Sequence, residues 1–295
     1  MRVGVIDVGA NTLRLLVATG DGIGGVAGLH TTRVELGLGE DVELHGAIAE
    51  EKLERAEIAA SEEAATARRL GCDVVEIVVT SPGRQAENAA DLVASLARVT
   101  GAHVQVLSAE EEATYAYEGA LACTPNLPES VAVCDVGGGS TQIVVGHRDG
   151  EPDWIRSLDL GSLRLTRRAL HGDPPTATEI ASAREIVDDL FAELTPPLPQ
   201  AALATGGSAR ALRKLVGEEL GPAELAHALD IAASRPARRL VKDYAVSPRR
   251  AGTVVAGALL LTAAQRVLSV PLLVARGGLR EGVAARMLYR SAVAA

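Results

Sequence analysis

The hydrophobic pattern of this chain repeats itself. Residues 2–7 (RVGVID) form an apolar run that stops on an aspartate, a Gly/Asn turn follows, and residues 13–19 form a second apolar run. The arrangement returns as SVAVCD (130–135), a GGGS turn and TQIVVGH (141–147). Each pattern predicts strand, tight turn, strand. Between the two, Leu53, Ala56, Ala60, Ala64, Ala67 and Leu70 share one helical face within 47–70, and Gly71 follows as a C-cap. VVEIVVT (74–80) reads as a buried strand, 88–99 as a helix and HVQVL (103–107) as a strand. Ser108 then offers an N-cap to a helix reaching Ala122, with Glu110, Glu111 and Glu112 in its first turn. TPNLPES (124–130) has linker composition. Beyond the second repeat, helices are expected over 161–170, 176–195, 208–216, 222–244 and 249–268, with strands at 201–205 and 271–275 and a last helix over about 280–295.

Strands mixed with helices in both halves predict an α/β fold. DVGANT (7–12) recurs as DVGGGST (135–141), and TSPGR (80–84) is loosely echoed by TGGSAR (205–210). The expected division is therefore 1–122 and 123–279, the last helix returning to the first domain. Two related domains leave a cleft, where a ligand is expected.

Composition narrows the ligand. The chain has 295 residues and a net charge of −9, which argues against a general nucleic-acid or membrane-surface binder. Aromatics make up 2%, too few for base-stacking platforms. Cys72, Cys123 and Cys134 form no CxxC pair and are odd in number, so reduced, buried thiols and a cytoplasmic setting are expected. The N-terminus runs straight into a strand, with no leader pattern. The uncharged stretch from Ala251 to Ala264 is shorter than the roughly 20 residues of a membrane span.

The two loops carry the chemistry. Small residues let several backbone N–H groups converge on one anion. Gly9, Asn11 and Thr12 in the first loop, and Gly137, Gly138, Gly139, Ser140 and Thr141 in the second, make a phosphate-binding pair. Asp7 and Asp135 each precede the first loop glycine by two residues. A carboxylate repels phosphate, so its natural partner there is a divalent cation such as Mg²⁺. Arg84, just after a strand, can take two phosphate oxygens at once; Arg33, Arg164, Arg167 and Arg168 raise the same possibility against a surface role. Spacing alone does not choose among Glu110, Glu111 and Glu112, which complement the helix dipole or supply a general base. The six histidines show no metal-ligand spacing and read as solvated.

Taken in order, DVGANTLRL, TSPGRQAEN, SAEEEATYAYEGA, DVGGGSTQIVVG, LDLGSLRLTRRAL, ATGGSARAL, RRAGTVVAGALLL and GGLREG resemble the exopolyphosphatase and guanosine pentaphosphate phosphohydrolase (Ppx/GppA) family, within the actin-like ATPase-domain superfamily. The resemblance runs nearly end to end. It implies two ribonuclease-H-like domains with a cleft between them, and makes Glu112, directly before Ala113, the catalytic base. It places Asp7 and Asp135 near metal and phosphates and Arg84 on phosphate, and suggests a homodimer. Departures from the pattern are Gln142 where Glu is usual, Ala10 for Ser, Ala109 for Gly, and Pro82-Gly83 in the arginine loop.

The resulting expectation is hydrolysis of terminal phosphoanhydride bonds of polyphosphate, with preference for short chains. Guanosine pentaphosphate is the alternative substrate. A kinase or ATPase of the same superfamily, with an adenosine site at TGGSAR, and a non-catalytic alarmone or polyphosphate sensor are the rivals.

Overall fold

β-Branched and aliphatic residues dominate Arg2–Val8, and alternate side chains of that strand enter two different cores. This is how a central strand behaves when both faces of its sheet are covered. A computed structural model describes residues 1–20 and 25–293, so the last two residues of the helix expected over 280–295 lie outside the described residues. The chain forms two compact units, Met1–Cys123 with Gly277–Ala295, and Thr124–Arg276.

The first unit runs β1 (Arg2–Val8), β2 (Thr12–Gly20), β3 (Val26–Thr31), β4 (Val34–Glu35), α1 (Leu38–His45), α2 (Glu50–Arg69), β5 (Val74–Val79), α3 (Ser81–Gln85), α4 (Ala89–Thr100), β6 (His103–Val106) and α5 (Ala109–Ala122). A closing helix, Leu279–Val293, completes it. The sheet order is β3-β2-β1-β5-β6, with β4 on β2. β1 is antiparallel to β2 and parallel to β5. Ile6 and Val8 pack with the alanine face of α2 and with Leu92 and Leu96 of α4. Val3 and Val5 face the other way, with Tyr115 of α5 and Val283, Ala284 and Met287 of the closing helix. Side chains two apart share a face, so Asp7 belongs with Val3 and Val5, on the side that α5 covers. The closing helix meets α5 backbone to backbone: a β-carbon on Gly119 would collide with Gly278 and Gly282, and one on Gly282 with Tyr115. Arg286 adds an ion pair to Glu118 and lies over the Tyr115 ring at 4.9 Å.

The second unit contains β7 (Ser130–Val136), β8 (Thr141–His147), β9 (Pro152–Leu158), α6 (Ser162–Ala169), α7 (Ala177–Phe191), β10 (Ala201–Thr205), α8 (Gly206–Val216), β11 (Glu219–Leu220), α9 (Pro222–Ala233), α10 (Ala237–Tyr244), α11 (Pro248–Ala251), α12 (Val254–Leu268) and β12 (Leu272–Val274). Its sheet order is β11-β12-β10-β7-β8-β9. Setting aside β4 in the first sheet and β11 in the second, the two repeat each other: a central strand, two strands in an antiparallel ladder on one side and two parallel strands on the other. The α/β fold with two ribonuclease-H-like sheets is thus the one expected.

The differences from expectation are local. The helix expected over 222–244 is two helices, because Pro236 lacks an N–H and disfavours helical geometry in Arg235. The helix expected over 249–268 starts as the short α11 and resumes at Val254. α7 stops at Phe191, short of Thr195 and the Pro196-Pro197 pair that follows. α8 begins on Gly206, two residues early. The strand at 74–80 is buried only from Ile77; Val74 is 41% exposed. All three cysteines are free, but only Cys134 is buried. No helix among the described residues is long and apolar enough to cross a membrane.

Candidate active site

Both glycine-rich turns close in the same way. Gly9 N–H donates to Thr12 O at 3.0 Å, and Gly137 N–H to Ser140 O at 3.0 Å. A second shared device orients their peptides. In the first loop the Ala10 carbonyl accepts from Gly39 N at 2.6 Å, in the first turn of α1. The Asn11 carbonyl accepts from Leu36 N and Gly37 N at 3.0 and 3.1 Å. In the second loop the Gly137 carbonyl accepts from Ser162 N at 2.9 Å and Ser162 Oγ at 3.0 Å, while Gly138 O accepts from Leu163 N and Arg164 N at 2.9 and 3.2 Å. The N-terminus of α6 thereby uses its unpaired N–H groups on loop carbonyls. In a planar trans peptide the C=O and the following N–H point in opposite directions. The Asn11 and Thr12 amides, and those of Gly138 and Gly139, are therefore turned away from the elements that hold the carbonyls. Such oriented amides suit an anion. Gly161 has to be glycine here, since a β-carbon would run into the Gly138–Gly139 peptide.

In the first unit Asp7 is half-buried, next to the loop. A β-carbon at Gly9 would lie 4.0 Å from Asp7 Oδ1 and 3.6 Å from the hydroxyl of buried Thr80. The three first-turn glutamates of α5 are now distinguished. Glu111 forms a capping box with Ser108, accepting from Ser108 N at 2.8 Å, and accepts from Gln105 Nε2 at 3.0 Å. Glu110 is exposed. Glu112 is half-buried, and its Oε2 accepts from Arg84 Nη2 at 2.8 Å. Arg84 also donates from Nη1 to Leu107 O at 2.7 Å, so its fork joins α3 to the start of α5. Gly83 permits this approach: a β-carbon there would sit 2.9 Å from a Val106 methyl. Pro82 and Gly83 thus build the short α3 on which Arg84 rides.

In the second unit Asp135 is half-buried and faces Gly206, which has φ of +86°; a β-carbon there would overlap the carboxylate. Gly207, the next residue, lies against the Arg250 guanidinium with no room for a side chain. Ser140 is half-buried and its hydroxyl accepts from Gln142 Nε2 at 2.8 Å. Thr141 corrects an expectation. It is fully buried, and its hydroxyl donates inward to Leu160 O at 2.7 Å, because a strand side chain adjacent to the loop falls on the core face. The hydroxyl expected as a side-chain donor is thus spent on structure.

The other arginines raised from sequence go elsewhere: Arg33 pairs with Glu35 at 3.7 Å, Arg164 pairs with Asp159, and Arg167 and Arg168 are exposed. All six histidines are exposed. Among the described residues no three His, Cys, Asp or Glu side chains cluster as a metal cage. Mg²⁺ does not need one. It keeps water and takes one or two carboxylates plus phosphate oxygens, a demand that half-buried aspartates beside phosphate-type loops fit. Sequence reasoning missed Thr80, Gly161, Ser162, Gly206 and Arg250. The segments TSPGR, LDLGS, TGGSAR and RRAG were visible, but which of their residues turn towards the loops was not.

The profile of the Ppx/GppA phosphatase family matches residues 17–291. Exopolyphosphatase 1 of Mycobacterium tuberculosis is 32% identical over an alignment covering 98% of this chain and 88% of that protein, and the Mycobacterium leprae protein of the same name is 30% identical over 98% and 90%. The crystal structure of the Aquifex aeolicus Ppx/GppA family member superposes with a TM-score of 0.86 at 26% identity, covering 99% of this chain and 98% of that one. The chain belongs to the Ppx/GppA phosphatase family.

Proposed function

We propose that the chain hydrolyses terminal phosphoanhydride bonds of inorganic polyphosphate, with Glu112 as the general base. The observation that carries this reading is the selection of Glu112 from three adjacent acids. It alone is half-buried and held by Arg84, on a helix that covers the Asp7 face of the sheet. The names of the mycobacterial relatives support polyphosphate as the substrate.

In the proposed step a water oxygen attacks the terminal phosphorus, its proton passes to the Glu112 carboxylate, and the bridging P–O bond breaks. Inorganic phosphate and a chain one unit shorter leave. Phosphate oxygens are taken by Gly9, Asn11 and Thr12 in the first unit, and by Gly137, Gly138, Gly139 and Ser140 in the second. Arg84 gives up part of its fork to phosphate as substrate arrives. The carboxylates of Asp7 and Asp135, each in its own unit, are the oxygen ligands available to a divalent cation, and Mg²⁺ would supply positive charge against the charge developing on phosphate.

The test is phosphate release from tripolyphosphate, long-chain polyphosphate and guanosine pentaphosphate side by side, with Mg²⁺ and with a chelator. Glu112→Gln is expected to lower kcat on the preferred substrate by about 10²- to 10⁴-fold, the usual worth of a positioned general base, without loss of folding. Full Mg²⁺-dependent turnover by that variant would overturn the assignment. Turnover of guanosine pentaphosphate alone would move the substrate while leaving the chemistry in place.

A further inference from the structure

Gln142 is 3% exposed, uncharged, and directly opposite Asp135 in the β7–β8 register. Opposed residues in an antiparallel pair share one sheet face, so Gln142 stands on the face from which Asp135 addresses the second loop. Its Nε2 donates to Ser140 Oγ at 2.8 Å. A serine hydroxyl has one proton and two lone pairs. When a lone pair receives the amide N–H, the hydroxyl proton swings away from Gln142. The Ser140 backbone carbonyl is already taken by Gly137 N–H, which fixes the residue's place at the end of the loop.

We propose that Gln142 is a positioning residue that sets the Ser140 hydroxyl as a donor to phosphate. A phosphate oxygen can only accept, so this orientation matches the ligand, and it adds an O–H to the outward amides of Gly138 and Gly139. The proposal rests on the reading of Gly137–Ser140 as a phosphate cradle.

The experiment is a double-mutant cycle of Ser140→Ala, Gln142→Met and the pair, with kcat and KM for tripolyphosphate at fixed free Mg²⁺ and thermal unfolding of each protein. Gln142→Met keeps length and volume but removes the donor. One neutral hydrogen bond is worth about 1 kcal/mol, so Gln142→Met is expected to raise KM about fivefold with Ser140 present, leave kcat near its original value, and add little in the Ser140→Ala background. Equal effects in both backgrounds would mean a packing role and overturn the proposal, as would an unchanged KM in Gln142→Met beside a raised KM in Ser140→Ala. An unchanged KM in Ser140→Ala would mean that the hydroxyl does not meet phosphate and would overturn the proposal, while leaving the cradle of loop amides in place. Should Gln142→Met not fold, Gln142→Leu, which also removes the donor without adding charge, serves in the same cycle and is read by the same outcomes.

Discussion

At the residue scale, the Arg84–Glu112 contact is the most telling feature, because one guanidinium has two tasks. Nη1 holds the Leu107 carbonyl at 2.7 Å while Nη2 holds the Glu112 carboxylate at 2.8 Å. The first bond anchors the arginine; on the proposed mechanism the second would keep Glu112 aimed as the base and be exchanged for a phosphate oxygen. A point charge cannot do both, since only the planar fork presents donors in fixed directions. Arg84→Lys is therefore expected to preserve charge and fold yet raise KM for polyphosphate by about tenfold, the loss of one charge-assisted hydrogen bond. Steady-state kinetics on tripolyphosphate check this, and an unchanged KM would reduce Arg84 to a strut between α3 and α5. The same scale shows why sequence spacing left Glu110, Glu111 and Glu112 equivalent. All three complement the helix dipole; what separates them is the capping box that takes Glu111 and an arginine 28 residues away that takes Glu112.

At the element scale, legibility follows how local the determinants are. α5 and the β7–β8 turn were readable because their signals are contiguous: a serine cap before three acids, and apolar runs around three glycines. β3 was missed because its strand is largely exposed and its short apolar stretch is broken by Gly28, and α3 because five residues starting Ser-Pro-Gly look like a turn. The N-terminus of α6 was placed within a residue, but its grip on the Gly137 and Gly138 carbonyls spans about two dozen residues of chain and leaves no local pattern. α7 shows a local determinant that can be measured. Glu179 closes a capping box with Thr176 and also accepts from His171 N and Gly172 N. The backbone N–H of Thr176, then that of His171, hold its carboxyl down at about 2, from 4.5. A carboxyl depressed in the folded state contributes stability above its unfolded value, and that stability is lost as pH falls through the folded value. Glu179→Gln should therefore unfold at a lower temperature than the original at pH 7, with the gap narrowing from about pH 4.5 down to about 2. A gap independent of pH over that window would show that the neutral amide caps the helix as well as the carboxylate does.

At the scale of the whole molecule, the duplicated sheet brings a duplicated solution to one problem: how an acidic protein binds a polyanion. The net charge is −9, so the long-range field of the chain repels polyphosphate rather than steering it. On the proposed reading the two loops would compensate locally, with peptide dipoles in place of a basic patch. Each loop lends its carbonyls to a neighbouring segment, Leu36–Gly39 in one unit and Ser162–Arg164 in the other, and turns its amides the opposite way. Dipoles act over short distances, whereas net charge acts over a Debye length, which shrinks from about 30 Å at 0.01 M salt to about 8 Å at 0.15 M. Salt should thus screen the repulsion more than it weakens the cradle. At fixed free Mg²⁺, KM for tripolyphosphate is expected to stay level or fall as monovalent salt rises over that range. Basic binders release counterions and lose affinity steeply under the same change. A KM that climbed several-fold with salt would mean that exposed arginines, and not the loop amides, dominate substrate capture.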